Sequence, residues 1–129
     1  MSIVDQIQFE RYGGLVPAII QDSETNEVLM LGFMNREAVA KTLDTRLVTF
    51  FKRSTQKLWT KGETSGNVLR VVALRINCND DSLLVLASPA GATCHTGHTS
   101  CYYREVTTAQ EEWREISSAE FDPDVVYRK

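Results

Sequence analysis

Short apolar runs alternate with polar turn sequences along the chain, which predicts a protein built mostly from strands. The segments 15–21 and 27–34 are apolar and flank the turn sequence DSETN, so we expect them to form a hairpin. Asn35 follows as the predicted cap of a short helix over 36–43, with an acidic residue in its first turn.

The middle of the chain continues the strand pattern. The segments 47–53 and 57–61 predict a second hairpin, and 67–78 is the longest strand candidate. Strand periodicity places four residues of that candidate on one face: Val72, Leu74, Ile76 and Cys78. The apolar run 83–88 is typical of a buried strand, and 99–106 predicts a last strand.

The C-terminal part is predicted to be helical. Thr108 and Glu111 match a capping box for a helix over 109–116, followed by a weakly specified tail. One helix among many strands predicts an α+β fold, a small single domain with a mixed β-sheet curled into a pseudo-barrel and one or two short helices. Residues 1–106 form the body of this domain, and 107–129 form its C-terminal helix and tail.

Composition is that of one soluble globular domain, with 129 residues, 43% hydrophobic and 24% charged. The apolar runs are too short to span a bilayer, the N-terminus lacks a signal-peptide pattern, and the cysteine count is odd. We therefore predict a cytoplasmic protein without a membrane partner.

The chain has a net charge of −3 but also contains a basic segment. Residues 45–75 include several lysines and arginines, and Glu63 is their single acidic residue. Such a segment suits a small anion such as a phosphorylated metabolite. A nucleic acid would need a more extended positive face and is not predicted. An ordinary solvated basic face is the alternative.

The sequence GATCHTGHTSCYYRE (91–105) concentrates candidate metal ligands, because it contains two of the three cysteines and both histidines. No close Cys-x-x-Cys pair is present, so the ligands must come from separate parts of the fold. Three thiolates would leave the fourth position of a zinc ion open, as in catalytic sites. The alternative is that the cysteines are buried core residues.

Three motifs, LWTKGETSGN (58–67), NCNDDSLLVL (77–86) and CHTGHTSCYYR (94–104), resemble the phosphoribosyl-AMP cyclohydrolase family of histidine biosynthesis. GLVPAIIQD and EVLMLGFMNREA also look like that family, so the resemblance covers about residues 9–106. It implies hydrolytic opening of the purine ring of phosphoribosyl-AMP, between ring atoms one and six, by a zinc-activated water. The product is the phosphoribosyl-formimino-imidazole carboxamide ribotide.

The resemblance also implies partners and site residues. It implies an intertwined homodimer whose zinc sites draw cysteines from both chains, and the implied zinc ligands are Cys78, Cys94 and Cys101. His95 is the candidate for proton transfer, and Trp59 is a candidate to stack on the purine, although a tryptophan in a strand is more often a core residue. Further candidates for substrate binding, chiefly to the phosphates, are Arg53, Ser54, Lys61, Glu63, Thr64 and Ser65.

The sequence departs from the family where a magnesium site is implied. The family's Asp-Cys-Asp-x-Asp corresponds to Asn77, Cys78, Asn79, Asp80 and Asp81. The implied magnesium ligands are thus Asn77, Asn79 and Asp81, with amides in place of two carboxylates. Because magnesium relies on carboxylate charge, we expect it to bind more weakly here, while the zinc site stays intact.

A second departure leaves the function partly open. His98 and Thr99 stand where the family has two arginines, which is expected to loosen substrate binding; the alternative for His98 is a metal or proton-transfer role. Other possible functions are hydrolysis of another purine nucleotide with zinc, or a non-catalytic zinc-stabilised nucleotide-binding dimer. The His-x-Glu and Pro-Cys-x-x-Cys signature of zinc deaminases is missing.

Overall fold

The computed structural model describes residues 2–120 and contains eight strands, one α-helix and two short 3-10 helices. The helical segments are the 3-10 helices Val4–Gln6 and Phe9–Tyr12 and the helix α1 (Arg36–Thr45). The strands are β1 (Val16–Asp22), β2 (Val28–Met34), β3 (Thr49–Lys52), β4 (Lys57–Thr60), β5 (Leu69–Ile76), β6 (Leu83–Pro89), β7 (Arg104–Glu105) and β8 (Arg114–Glu115). None of the helices in the described range is long and apolar enough to cross a membrane.

The main sheet has four strands in the order β2-β1-β6-β5. Strand β1 runs antiparallel to β2 and parallel to β6, and β5 runs antiparallel to β6. This confirms the predicted α+β fold with a mixed sheet. The predicted pseudo-barrel is wrong, because the strands of residues 2–120 form three separate sheets that do not close. Beyond the named strands, the bridge Leu47–Arg70 links β5 to the segment before β3.

Both predicted hairpins and the predicted helix are present. The β1–β2 and β3–β4 pairs are antiparallel, and each follows the predicted segments within a few residues. The Asn35 side chain accepts a hydrogen bond from the Ala38 N–H at 2.8 Å, which is the expected N-cap interaction. Arg46 adopts a left-handed conformation after Thr45 and ends the helix.

The predicted C-terminal helix over 109–116 is wrong. Gln110 donates its N–H to the Thr107 carbonyl and accepts from the Thr107 N–H, which forms a turn, and β8 follows. Trp113 and Ile116 are exposed, so this segment lacks a packed apolar face that would stabilise a helix. The predicted strand over 99–106 shrinks to β7, and the predicted tail after residue 120 lies outside the described residues.

The predicted apolar face of β5 is only partly correct. The pairing with β6 shifts between Val71 and Ala73, so the intervening Val72 is an extra residue and is 61% exposed. A bulge of this kind changes the alternation of side chains. Leu69 and Val71 therefore contact the core before the bulge, and Leu74 does so after it.

The core lies on one face of the main sheet and fixes the position of the β3–β4 pair. Its buried side chains include Val16, Ala18, Ile20, Leu83, Val85, Ala87, Val39 and Phe50. Gly32 in β2 leaves room for Phe50, because a Cβ at Gly32 would lie 2.5 Å from the Phe50 ring. Phe50 in turn contacts Trp59 across the strand pair, with ring centroids 5.9 Å apart. Gly32 therefore indirectly determines the position of Trp59.

Buried threonines connect α1 to the β3–β4 pair. The Thr42 hydroxyl donates to the Ala38 carbonyl at 2.8 Å and accepts from the Thr49 N–H at 3.0 Å. The Thr49 and Thr60 hydroxyls lie 3.0 Å apart and continue this connection into β4.

The Thr42→Val substitution tests the importance of this connection. It keeps the side-chain volume but leaves the buried Thr49 N–H without its partner, so the free energy of unfolding should fall by about 1–3 kcal/mol. Thr55→Val, at an exposed position of the β3–β4 turn, is the matched control and should change it by less than about 0.5 kcal/mol. Denaturant titration of both variants provides the measurement, and equal stability of the two would contradict the prediction.

Candidate active site

The loop between β6 and β7 folds back on itself and brings two cysteines together. The Thr93 N–H donates to the Thr99 carbonyl at 3.2 Å, and the Cys94 N–H donates to the His98 carbonyl at 3.0 Å. The loop is also attached to the edge strand β2, because the Cys101 N–H donates to the Leu29 carbonyl at 2.7 Å. These bonds fix the backbone on both sides of the cysteine pair.

Cys94 and Cys101 form a thiol pair in a poorly hydrated environment. Burial, together with the neighbouring Cys94 side chain that hydrogen-bonds to it, raises the pKa of Cys101 to about 12. Lys61 lies beside the pair and is itself only 6% exposed. Burial lowers the pKa of the Lys61 ammonium, while the two cysteines act in the opposite direction. The pair therefore has a buried cationic neighbour.

Lys61, which lies beside the two cysteines, also lines a pocket of about 250 Å³. Its lining residues are Trp59, Lys61, Gly62, Thr64, Ser65 and His95. The Lys61 Nζ lies 5.4 Å from the centre of the Trp59 ring, and His95 is exposed. The structure thus brings together an aromatic face, two hydroxyl side chains and an accessible imidazole, all of them predicted site residues.

The loop 62–67 owes its shape to a glycine. Gly62 has a φ of +85°, and a Cβ there would contact the backbone of Asn67 and Val68. The Gly66 N–H donates to the Gly62 carbonyl at 2.7 Å, which closes the loop. This geometry directs Thr64 and Ser65 to the pocket.

A second and larger pocket, of about 630 Å³, lies elsewhere on the molecule. Its lining residues are Tyr12, Leu15, Pro17, Phe33, Arg53, Asn77, Asn79, Asp81 and Ser82. The guanidinium carbon of Arg53 lies 4.3 Å from the centre of the Phe33 ring, which is a cation–π distance. This pocket contains the three residues implied for magnesium.

These three residues fit magnesium poorly. Asn77 donates its side-chain N–H to Asp81 Oδ1 at 2.7 Å and accepts from the Asp81 and Ser82 N–H groups, both at 2.9 Å. Arg11 donates to Asp81 Oδ2 at 3.3 Å. The hydrogen bond from Asn77 lowers the pKa of Asp81, with Arg11 acting in the same direction. The one carboxylate of the set is thus already neutralised by groups of the chain.

The three cysteines do not come together within one chain. Cys78 is exposed, Cys94 is buried, and among residues 2–120 no cluster of three or more metal-ligating side chains is present. The Cys94–Cys101 pair nevertheless fits zinc, because two sulfurs within hydrogen-bonding reach match the soft donors that zinc prefers. Exposure leaves Cys78 accessible to a second molecule.

The remaining predicted site residues do not line the smaller pocket. Arg53 lines the larger pocket, whereas Ser54 is exposed in the β3–β4 turn, and Glu63 accepts a 3.4 Å hydrogen bond from the Thr60 N–H. In the described range, neither Ser54 nor Glu63 lines the two pockets. His98 is buried rather than directed to the smaller pocket, so it does not replace an arginine there.

Sequence reasoning missed several residues that contact these sites. Tyr12 and Phe33 line the larger pocket, and Arg11 binds Asp81 across 70 positions of the chain. Thr96 donates its hydroxyl to the Cys94 sulfur at 3.0 Å. Proximity to Cys94 could have suggested Thr96, but the contact of Arg11 has no local sequence signal.

A pocket that combines an aromatic face, a few polar side chains and an exposed histidine is typical of a small-molecule site in an enzyme. The sequence model of the phosphoribosyl-AMP cyclohydrolase family matches residues 30–103. A phosphoribosyl-AMP cyclohydrolase from Desulfatibacillum aliphaticivorans is 49% identical over 125 residues, 96% of this chain and 98% of that protein. The chain therefore belongs to the phosphoribosyl-AMP cyclohydrolase family, which confirms the resemblance and indicates an enzyme.

Bifunctional histidine biosynthesis proteins are also similar. The protein from Vibrio vulnificus (strain YJ016) is 54% identical over 101 residues, 78% of this chain and 48% of that protein. The protein from Bacteroides thetaiotaomicron is 57% identical over 97 residues, 75% of this chain and 48% of that protein. The chain spans about half the length of these bifunctional relatives.

The Gly62→Ala substitution tests how strongly Gly62 determines the conformation of the loop 62–67, and Gly66→Ala is the matched control. Both glycines have positive φ, so each substitution should cost about 1–2 kcal/mol of stability for backbone strain. A Cβ at Gly62 also meets the Asn67 backbone, whereas a Cβ at Gly66 meets nothing within 4 Å.

Gly62→Ala should therefore lose more stability than Gly66→Ala in denaturant titration. It should also shift the amide NMR signals of Thr64 and Ser65 more strongly, because the loop must move to relieve the contact. Similar losses and similar shifts for the two variants would contradict this account of the loop.

Proposed function

We propose that this chain hydrolyses phosphoribosyl-AMP between ring atoms one and six of the purine, as a zinc-dependent homodimer in histidine biosynthesis. The observation that carries the proposal is the position of Lys61, which lies beside Cys94 and Cys101 and also lines the pocket of Trp59 and His95. The membership of the chain in the cyclohydrolase family supports the same reaction.

Substrate binding would use the aromatic and the hydroxyl side chains of the smaller pocket. Trp59 offers a flat face for the purine, which suits stacking of aromatic rings. The Thr64 and Ser65 hydroxyls would donate to a phosphate, together with N–H groups of the loop 62–67. Arg53 lies in the other pocket and would reach a phosphate only if the two pockets meet in the assembled protein.

Cys94 and Cys101 would hold zinc, with Cys78 of a second copy completing the ligand set. When bound, zinc would supply the Lewis acidity that makes a water nucleophilic enough to attack the six-position carbon. The Lys61 ammonium would balance part of the thiolate charge, because it is buried beside both sulfurs. His95, exposed at the pocket, would move a proton to the departing ring nitrogen.

The separation of the cysteines supports the homodimer. Cys78 does not join the thiol pair within the described part of one chain, so a three-cysteine site requires a second molecule. The main sheet also has a face with incompletely buried apolar side chains. Leu31, Ile19 and Leu84 are neighbours across three strands, and Leu31 is 41% exposed. This row is the surface that we propose for the second copy.

Magnesium would bind weakly in this member of the family. Asn77 and Arg11 already occupy both oxygens of Asp81, the only carboxylate among the three implied ligands. To bind Asp81, a hydrated divalent cation would have to displace the Arg11 guanidinium. A second carboxylate usually compensates for dehydration of the cation, and these three residues lack one.

A mixing experiment tests catalysis and the shared site together. With zinc, the wild-type chain should open phosphoribosyl-AMP, followed by ultraviolet absorbance, whereas Cys78→Ser and Cys94→Ser should each lose turnover and stay folded. In a heterodimer of the two variants, one site keeps all its cysteines. Unfolding and refolding an equal mixture should therefore restore about one quarter of wild-type activity, because about half of random dimers are mixed and each has one intact site of two.

The refolded single variants and refolded wild type serve as controls. A mixture as inactive as its components, with dimers present by sedimentation, would contradict the shared site. A wild-type chain that binds zinc but leaves phosphoribosyl-AMP intact would contradict the reaction. Unfolding or dissociation of the Cys94→Ser variant would instead favour a structural zinc module.

Calorimetric titration of the zinc-loaded, substrate-free protein tests the magnesium proposal. The wild type should bind magnesium weakly, and Asn77→Asp combined with Asn79→Asp should bind it at least about tenfold more tightly, because carboxylates replace amides beside Asp81. Asn26→Asp, the same change at a turn between β1 and β2, is the control and should have no effect. Tight magnesium binding by the wild type would refute the proposal.

A further inference from the structure

A chain of contacts leads from a buried histidine to the sulfur of Cys94. His98 is 6% exposed, and its ring stacks on Tyr103 with centroids 3.5 Å apart and planes 8° from parallel. Its Nδ1 lies 2.9 Å from the Thr96 hydroxyl oxygen. The same hydroxyl lies 3.0 Å from the Cys94 sulfur and donates to it. The stack therefore fixes the plane of the imidazole, and in that plane Nδ1 lies beside the Thr96 hydroxyl.

The Thr96 hydroxyl has a single proton, and this proton sets the direction of the hydrogen bonds between His98, Thr96 and Cys94. A thiolate has no proton and can only accept a hydrogen bond. When Cys94 is a thiolate, the Thr96 proton must therefore point to the sulfur, and the lone pairs of Thr96 are left to accept. His98 then satisfies Thr96 by donating from Nδ1, which is possible when Nδ1 carries the proton.

We propose that Thr96 and His98 are positioning residues for the Cys94 thiolate as a zinc ligand; this inference rests on the proposed zinc-dependent function. The Thr96 O–H stabilises negative charge on the sulfur and fixes the direction of its lone pairs. His98 keeps the Thr96 hydroxyl from rotating toward another acceptor. Groups that hydrogen-bond to a metal ligand in this way commonly change metal affinity by about 10- to 100-fold.

The proposal gives His98 a role different from that of the arginine it replaces. His98 is buried and stacked on Tyr103, and it does not line the smaller pocket. It acts instead on the Cys94 sulfur, through Thr96. The three residues Cys94, Thr96 and His98 alternate along a loop that is closed by the bond between the Cys94 N–H and the His98 carbonyl.

Three substitutions separate the parts of this chain of contacts. Thr96→Val removes the hydroxyl at nearly constant volume, and Thr96→Ser keeps it. His98→Phe keeps an aromatic ring that can stack on Tyr103 but removes Nδ1. Thr99→Val, in the same loop, is the control for a threonine-to-valine change near the site.

Metal affinity is measured on the metal-free protein by competition with a chromophoric zinc chelator. Thr96→Val should bind zinc about 10- to 100-fold more weakly, and His98→Phe should show a smaller loss. Thr96→Ser should restore wild-type affinity, and Thr99→Val should match the wild type.

Cobalt substitution supplies a spectroscopic readout of the Cys94 sulfur. Loss of the O–H donor raises the energy of the sulfur electrons, so the thiolate-to-cobalt charge-transfer band of Thr96→Val should move to longer wavelength. Thr96→Ser should keep the wild-type band. Thermal unfolding of each metal-free variant shows whether a change of affinity is due to a change of fold.

The outcomes distinguish this inference from the proposed function. Wild-type affinity and an unshifted cobalt band in a folded Thr96→Val variant would overturn the inference while leaving the zinc proposal standing. Failure of Thr96→Ser to rescue either readout would overturn it as well. A wild-type chain that binds neither zinc nor cobalt would overturn the zinc-dependent function, and the inference with it.

Discussion

The attachment of the cysteine loop to the edge strand β2 is the constraint on which the candidate site depends. The Cys101 N–H and the Ser100 hydroxyl donate to successive carbonyls of β2, those of Leu29 and Val28. An edge strand has backbone carbonyl groups that do not pair with another strand, so a loop can bind to them without disturbing the sheet. The loop then closes through its own hydrogen bonds, and the position of buried Cys94 and half-buried Cys101 beside Lys61 follows from that closure.

Packing of the core explains why the aromatic wall of the pocket lies next to this loop. The missing side chain of Gly32 admits Phe50, and Phe50 is the cross-strand partner of Trp59. Thr42 and Thr49 hold the same strand pair to α1 through buried hydrogen bonds. The pocket is therefore lined by a loop fixed to one edge strand and by a strand pair fixed to the core. Contacts away from the surface therefore help to hold both walls of the pocket in place.

The sequence predicted local structure better than the assembly of the site. The β1–β2 hairpin and the Asn35-capped helix follow from residues close together in the chain, and both are present. The capping box at Thr108 was also local but is wrong, because exposed Trp113 and Ile116 give a helix there nothing to pack on. Trp59 and His95, which the motif comparison assigned to one site, line the same pocket. The motif comparison could not reveal that Lys61 is buried or that Arg11 reaches Asp81, since both depend on distant parts of the fold.

The loop 77–82 shows how the chain balances charge with its own groups. With aspartate at position 77, two carboxylate oxygens would lie where the Asn77 amide now donates to Asp81 at 2.7 Å, and a shared proton or a bound cation would be needed to remove the repulsion. The amide removes the second charge and supplies a donor, and Arg11 neutralises the charge that remains. Since Arg11 belongs to the 3-10 helix Phe9–Tyr12, this ion pair also holds the N-terminal segment against the larger pocket. Asn77 and Arg11 thus supply Asp81 with its hydrogen-bond and ion-pair partners from within the chain.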